Sequence, residues 1–219
     1  MVQRRASGVP LEYVVGWAEF CGLRIRVAPG VFIPRRRTEA LAREAAHRTR
    51  PGAAVVDLCC GSGAIGLAVQ HLAGPVDLYL ADISAAAVAC ARDNLGAAGT
   101  VYQGDLFAAL PDALRGRVDV LIANVPYVPT PDLPMLPGEA RHHEPVAALD
   151  GGADGLVTVA RVAGGCSEWL RPGGALLMEV GARQVDTARA LLRRAGLQPR
   201  AMTLPDWGSA VLVGIRPAA

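Results

Sequence analysis

The sequence predicts an α/β fold: a mostly parallel, seven-stranded sheet with an antiparallel edge, preceded by a short β-hairpin extension. Three observations predict it. From residue 53 onward, short apolar runs alternate with helical stretches of about 10–15 residues, the rhythm of strand–helix–strand units covered on both faces. The first run, Ala53 to Cys60, is apolar at nearly every position, as a strand buried on both faces requires. The last two strand-like runs follow one another with no helix between them, which turns the edge antiparallel.

Composition bounds the reading. At 219 residues, the chain is one domain with an appendage. Hydrophobic residues make up 52% and charged residues 19%, which excludes a disordered chain. Aromatics are only 5%, so the core must be built from Ala, Val and Leu. The 22 basic residues are all arginine and the net charge is +2, which does not announce a nucleic-acid binder; nucleic acid stays possible but is not favoured. Five cysteines, at 21, 59, 60, 90 and 166, have no zinc-type spacing and read as reduced, mostly buried small hydrophobes. With no amino-terminal export signal and no apolar run of about 18 residues, the expectation is a cytoplasmic protein without a membrane span.

In chain order, the first twenty residues form a lead-in with a helical turn. Gly22 to Val27 alternates apolar and polar residues, the period of a half-buried strand. Ala28-Pro29-Gly30 is a turn, and Val31-Phe32-Ile33 is read as the returning strand of a hairpin. Thr38 introduces a helix that Pro51-Gly52 stops. Then come strand 53–60, a helix from the Gly61-Ser62-Gly63 turn through His71, strand 76–81, and a helix capped by Ser84 and running to Leu95. Strands 100–103 and 118–123 follow, and the Pro-rich stretch from Pro126 to Pro145 has no apolar periodicity. A helix from Ala153 to Leu170, strand 175–180, a helix from Gln184 to Ala195, and strands 198–204 and 209–215 complete the series.

In an open doubly wound sheet, ligands bind beyond the carboxyl ends of the strands, where strand order reverses. The first strand of the regular series ends in Asp57-Leu58-Cys59-Cys60-Gly61-Ser62-Gly63. Glycines there let a ligand approach the backbone, and the absence of lysine argues against a phosphate loop. Asp82, 25 residues after Asp57, is placed to accept hydrogen bonds from both hydroxyls of a ribose, or else to cap the next helix. Gly61, Gly63 and Gly66 also satisfy a dinucleotide spacing, so a dinucleotide and S-adenosylmethionine both fit at this point. Asp105, after the third strand, is placed to meet an adenine edge. After the fourth strand stands Asn124-Val125-Pro126-Tyr127.

This set resembles the class I methyltransferases that act on planar nitrogen, whose signature is Asn or Asp, a variable residue, Pro and an aromatic. The likeness extends through Arg5, Gly8, Pro10-Leu11, Tyr13, Gly16 and Phe20, then Val27 to Pro34 and Arg37-Thr38-Glu39. It continues in Glu144-Pro145, Ala148-Leu149 and Gly151-Gly152-Ala153-Asp154-Gly155-Leu156. That ordered series resembles the catalytic domain of the protein-(glutamine-N5) methyltransferases that modify peptide-chain release factors. The resemblance implies a Rossmann-like class I methyltransferase fold, with an amino-terminal part at 1–50 and an S-adenosylmethionine-binding domain at 51–219. It implies cofactor contacts from Asp57, Cys59, Gly61, Ser62, Gly63, Asp82, Ile83, Asp105, Leu106, Asn124, Arg37 and Thr38. It assigns Asn124, Val125, Pro126 and Tyr127 to catalysis, Glu144 and Pro145 to a substrate loop, and a release factor or similar protein as substrate. No metal is expected, since the adjacent His142 and His143 lack a partner set.

Two departures stand out. The family's Asn-Pro-Pro-Tyr is here Asn124-Val125-Pro126-Tyr127, and the sequence starts too late for the family's amino-terminal helical domain. Cys59 also stands where a glycine often does. The departures keep two other readings open: N-methylation of a nucleobase amine or small metabolite, and a non-catalytic cofactor-binding partner subunit. Arg37 and Thr38 remain helix-cap candidates as well, and Glu144 a loop-packing one.

Overall fold

Two short helices, α1 (Val2–Ala6) and α2 (Leu11–Val15), lead into an antiparallel hairpin, β1 (Trp17–Phe20) and β2 (Leu23–Arg26). The computed structural model describes residues 1–218. The hairpin corrects the sequence reading: residues 23–26 pair with the segment before them, not with Val31–Ile33. The reason is local. Cys21 and Gly22 both adopt positive φ, 52° and 82°, the two-residue turn that matches strand twist. Val31 and Ile33 are instead buried in a loop, where the Tyr13 hydroxyl donates to the Val31 carbonyl at 2.6 Å.

The regular series begins after α3 (Glu39–Arg48). It runs β3 (Ala54–Leu58), α4 (Ala64–Ala73), β4 (Asp77–Asp82), α5 (Ala85–Leu95), β5 (Thr100–Gln103) and β6 (Val118–Ala123). A short α6 (Gly138–His143), α7 (Val157–Trp169), β7 (Leu170–Gly181), α8 (Val185–Arg194), β8 (Gln198–Leu204) and β9 (Ser209–Ile215) complete it. The seven strands lie in the order β5-β4-β3-β6-β7-β9-β8; β9 is antiparallel to both neighbours and the rest are parallel. The expected sheet and its antiparallel edge are therefore present. The chain starts in the middle at β3, moves outward to β5, and returns to β6 on the other side. The crevice left by that reversal lies at the carboxyl ends of β3 and β6.

Period-two alternation explains the layers. Val55 packs on one face with Leu41, Ala68 and Val88 of α3, α4 and α5. Val56 and Leu58 pack on the other with Val159, Trp169 and Leu192 of α7 and α8. Phe20 and Ile25 of the hairpin are buried in the first of these clusters, so the amino-terminal part shares the core of the sheet. Among the described residues, no helix is long and apolar enough to cross a membrane.

Two helix limits differ from the sequence reading. The helix expected from Ala153 starts only at Val157, because Gly155 takes φ 75° and the Asp154 carboxylate accepts from Leu156 N at 2.9 Å in a tight turn. At its other end, helix gives way to strand at Leu170 without a loop, since Leu170 already pairs with Val118.

Candidate active site

The crevice is a cleft of about 220 Å³. Its walls come from the loop after β3, the loop after β4, the tetrapeptide after β6 and the amino-terminal arm around residues 30–38. Of the residues singled out from the sequence, Cys59, Gly61, Ser62, Asp82, Ile83, Arg37, Thr38, Pro145 and the whole run Asn124 to Tyr127 line it. Asp57, Gly63, Asp105, Leu106 and Glu144 do not.

The glycine loop is built by a chain of backbone hydrogen bonds. Asp82 Oδ2 accepts from Gly61 N and its Oδ1 from Ser84 N, both at 2.9 Å, so one carboxylate ties the ends of β3 and β4 together. Ser84, not Asp82, caps the helix that follows, so Asp82 serves the loop and the cleft rather than the helix end. Gly61 has φ 55° and open space where a side chain would stand, which leaves its backbone accessible to a ligand. Cys59 adopts φ 55° without being glycine, a strained left-handed conformation. Burial pushes its thiol up to about 12, with the Asp82 and Asp57 charges adding, so it is no thiolate nucleophile.

Asp57 lies beneath the loop, fully buried. Its Oδ2 accepts from Gly66 N at 2.9 Å, while Oδ1 has no partner. A β-carbon on Gly66 would stand 3.3 Å from that carboxylate, a tight contact. Loss of solvent pushes the Asp57 carboxyl up to about 7, against the Gly66 N–H and with the help of the Asp82 charge. Its place is the support of the loop. Asp105 stands outside the cleft, at the end of β5, in an ion pair with Arg161 at 2.7 Å.

Asn124 follows the last residue of β6. Its Oδ1 is buried and, among the described residues, no group donates to it. Such an orphan is uncommon in a folded chain and points to a ligand. Among the described residues, nothing donates to the Val125 carbonyl either. Tyr127 is held at both ends. Its hydroxyl donates to Glu179 Oε1 at 2.6 Å, and its carbonyl accepts from Gln184 Nε2 at 2.8 Å. Arg37 Nε reaches both Tyr127 Oη, at 3.2 Å, and Glu179 Oε1, at 3.0 Å.

The Gly151–Leu156 segment supports that tetrapeptide. Gly151 N donates to Val128 O, and Val128 N to Leu149 O, in a short parallel bridge. A side chain on Gly155 would overlap the Tyr127 carbonyl and Gln184 Nε2. Glu144 pairs with Arg35, whose Nη2 reaches both carboxylate oxygens at 2.6 Å, and so pins the loop to the arm before α3. Sequence reasoning missed Glu179 and Gln184. The signal for Glu179 was present: it is the single charged residue within the apolar run Ala175 to Val180.

Known proteins resemble this chain over most of its length. The methyltransferase small domain family profile matches residues 22–133. A release factor glutamine methyltransferase of Geobacter sulfurreducens is 41% identical over 199 residues, 90% of this chain and 69% of that protein. A 4-amino-L-phenylalanine/4-methylamino-L-phenylalanine methyltransferase of Streptomyces pristinaespiralis is 34% identical, over 98% of this chain and 76% of its own. Among solved structures, a methyltransferase from Pyrococcus furiosus superposes with a TM-score of 0.71 at 13% identity, covering 98% of this chain and 99% of the other, which speaks to the fold alone. With identity of that order spread over nearly the whole sequence, the chain belongs to the release factor glutamine methyltransferase family and is an enzyme of the methyltransferase class.

Proposed function

We propose that the protein transfers a methyl group from S-adenosylmethionine to the side-chain amide nitrogen of a protein glutamine, a release factor being the substrate class. The observation that carries this reading is Asn124 Oδ1: a buried acceptor without a partner, on the wall of the cleft, one residue from a second free acceptor, the Val125 carbonyl.

The cleft's chemistry fits the cofactor. Both Asp82 oxygens keep lone pairs beyond the backbone bonds they accept, enough for a vicinal diol. Ile83 is 65% exposed beside it, an apolar shelf for a base. Among the described residues, Arg37 engages only its Nε, which leaves its terminal nitrogens for a carboxylate, and Thr38 Oγ1 is buried without a partner. When bound, S-adenosylmethionine supplies an electrophilic sulfonium methyl.

The chain's own residues do the rest by orientation. An amide nitrogen is a poor nucleophile because its lone pair is delocalised into the carbonyl. Asn124 Oδ1 and the Val125 carbonyl accept the two N–H bonds of an incoming –NH₂, fix its direction, and favour the positive charge that develops on nitrogen. Valine in place of the family's first proline leaves that carbonyl in place. Tyr127 walls the planar group; the leaving product would be the thioether S-adenosylhomocysteine, and the extra proton on nitrogen passes to water after transfer.

A second reading has one observation behind it. The Streptomyces relative is named for a small aromatic amine, and an exocyclic amine meets the same two acceptors. Incubation with labelled cofactor and either a release-factor domain or free 4-aminophenylalanine, with mass mapping of the product, separates the two. Label on a glutamine in wild type, with a fall of about 100-fold or more in Asn124→Ala at kept cofactor affinity, is expected. Label on the free amine alone transfers the substrate assignment to the second reading.

A further inference from the structure

We infer that Glu179 is a positioning residue for methyl transfer: together with Arg37 it fixes the Tyr127 ring as a rigid wall of the acceptor site. The inference rests on the reading of Asn124 to Tyr127 given above and deepens it. Glu179 stands inside an apolar strand with its side chain 1% exposed. A buried carboxylate is costly, and a well-packed apolar residue generally stabilises such a place at least as well. The carboxylate is also unevenly used. Its Oε1 takes both the Tyr127 hydroxyl and the Arg37 Nε, while Oε2 has no partner. Its orientation therefore follows the tyrosine rather than its own full hydrogen bonding.

The three groups come from three separate places, the arm before α3, the loop after β6, and β7, so the contact ties the cleft walls to the sheet. Tyr127 is anchored through its backbone by Gln184 as well. A tyrosine held at its tip and at its carbonyl has no rotamer freedom left to lose when an acceptor arrives, and small misplacements of such walls are known to cost up to about 100-fold in rate. Glu179 touches neither reacting atom; it acts through Tyr127.

A double-mutant cycle on the full chain tests this: Glu179→Gln, Tyr127→Phe and the pair, measured with labelled S-adenosylmethionine and a glutamine-containing release-factor domain or 4-aminophenylalanine, whichever the wild type methylates. Tyr127→Phe is expected to lower kcat about tenfold or more, with the calorimetric Kd for S-adenosylmethionine kept within about twofold. Glu179→Gln, which keeps an amide oxygen for the tyrosine but gives up the charge that holds Arg37, is expected to lower kcat as well, and the double variant to fall short of the product of the singles, because both changes weaken one shared tether. Full kcat in Tyr127→Phe, or a double variant equal to the product of the singles, overturns the inference. So does a Glu179→Gln loss confined to cofactor affinity or melting temperature. If Glu179→Gln does not fold, Tyr127→Phe alone decides, since it removes one hydroxyl and leaves the ring. A wild-type enzyme that methylates neither acceptor overturns the underlying reading first, and this inference with it.

Discussion

At the scale of single residues, the site is marked by buried polar groups that the protein compensates only in part or not at all. Asp57 is the case with a pH signature. Its carboxyl titrates near 7 when folded, against about 4 when unfolded. The folded state therefore holds the proton more tightly. The stability that goes with it is full below about pH 4 and is lost as pH rises toward 7, by at most about 4 kcal/mol. Asp57→Asn removes this dependence. The melting temperature of the variant relative to wild type is expected to rise between pH 4.5 and pH 7.5; a constant difference across that range would contradict the raised carboxyl. Asn124 is the complementary case, a neutral acceptor held for a ligand. Its type and place were legible from the tetrapeptide. Its lack of any internal partner was not, because that depends on what the neighbouring strands fail to offer.

At the scale of elements, caps and turns were readable where a side chain acts on its own backbone. Ser84 caps α5 as expected, accepting from Ala87 N at 3.3 Å. Ser84→Ala should cost about 1 kcal/mol in denaturant titration. The Gly151–Leu156 turn is different. From Ala153 on, its sequence looked like the start of α7, yet the turn is spent on holding Tyr127 and Val128 through contacts with residues about 25 positions earlier. Gly155→Ala combines a left-handed backbone with overlap on Tyr127, and is expected to destabilise by about 2–4 kcal/mol. It should also lower methyl transfer well beyond any loss of cofactor binding, read by kinetics beside calorimetry. The hairpin was misassigned for a similar reason. Residues 17–20 were read as part of a lead-in, and the positive φ at Cys21 and Gly22 is what turns them back as the partner of β2.

At the scale of the whole molecule, one apolar core joins what the sequence divides at residue 50. Phe20 of the hairpin is fully buried among residues of α3 and α4 and also lines the cleft. We propose that both parts unfold as one unit. Phe20→Ala is then expected to shift a single thermal transition, by a loss of about 3–5 kcal/mol or roughly 6–20 °C at this size. A separate early transition in calorimetry would contradict it. What the sequence determined by itself was local or periodic: the seven strands, the glycine turn, the acid closing β4 and the tetrapeptide closing β6. Each rests on burial alternation or on a residue's own backbone preference, which neighbours in the chain suffice to set. What only the tertiary structure decided was the company these residues keep. Glu179 beneath Tyr127, Arg35 on Glu144, and Asp105 turned to Arg161 are pairings across 52, 109 and 56 positions. Such pairings follow from how layers stack, and the energy of a buried charge depends on the groups that stacking brings to it.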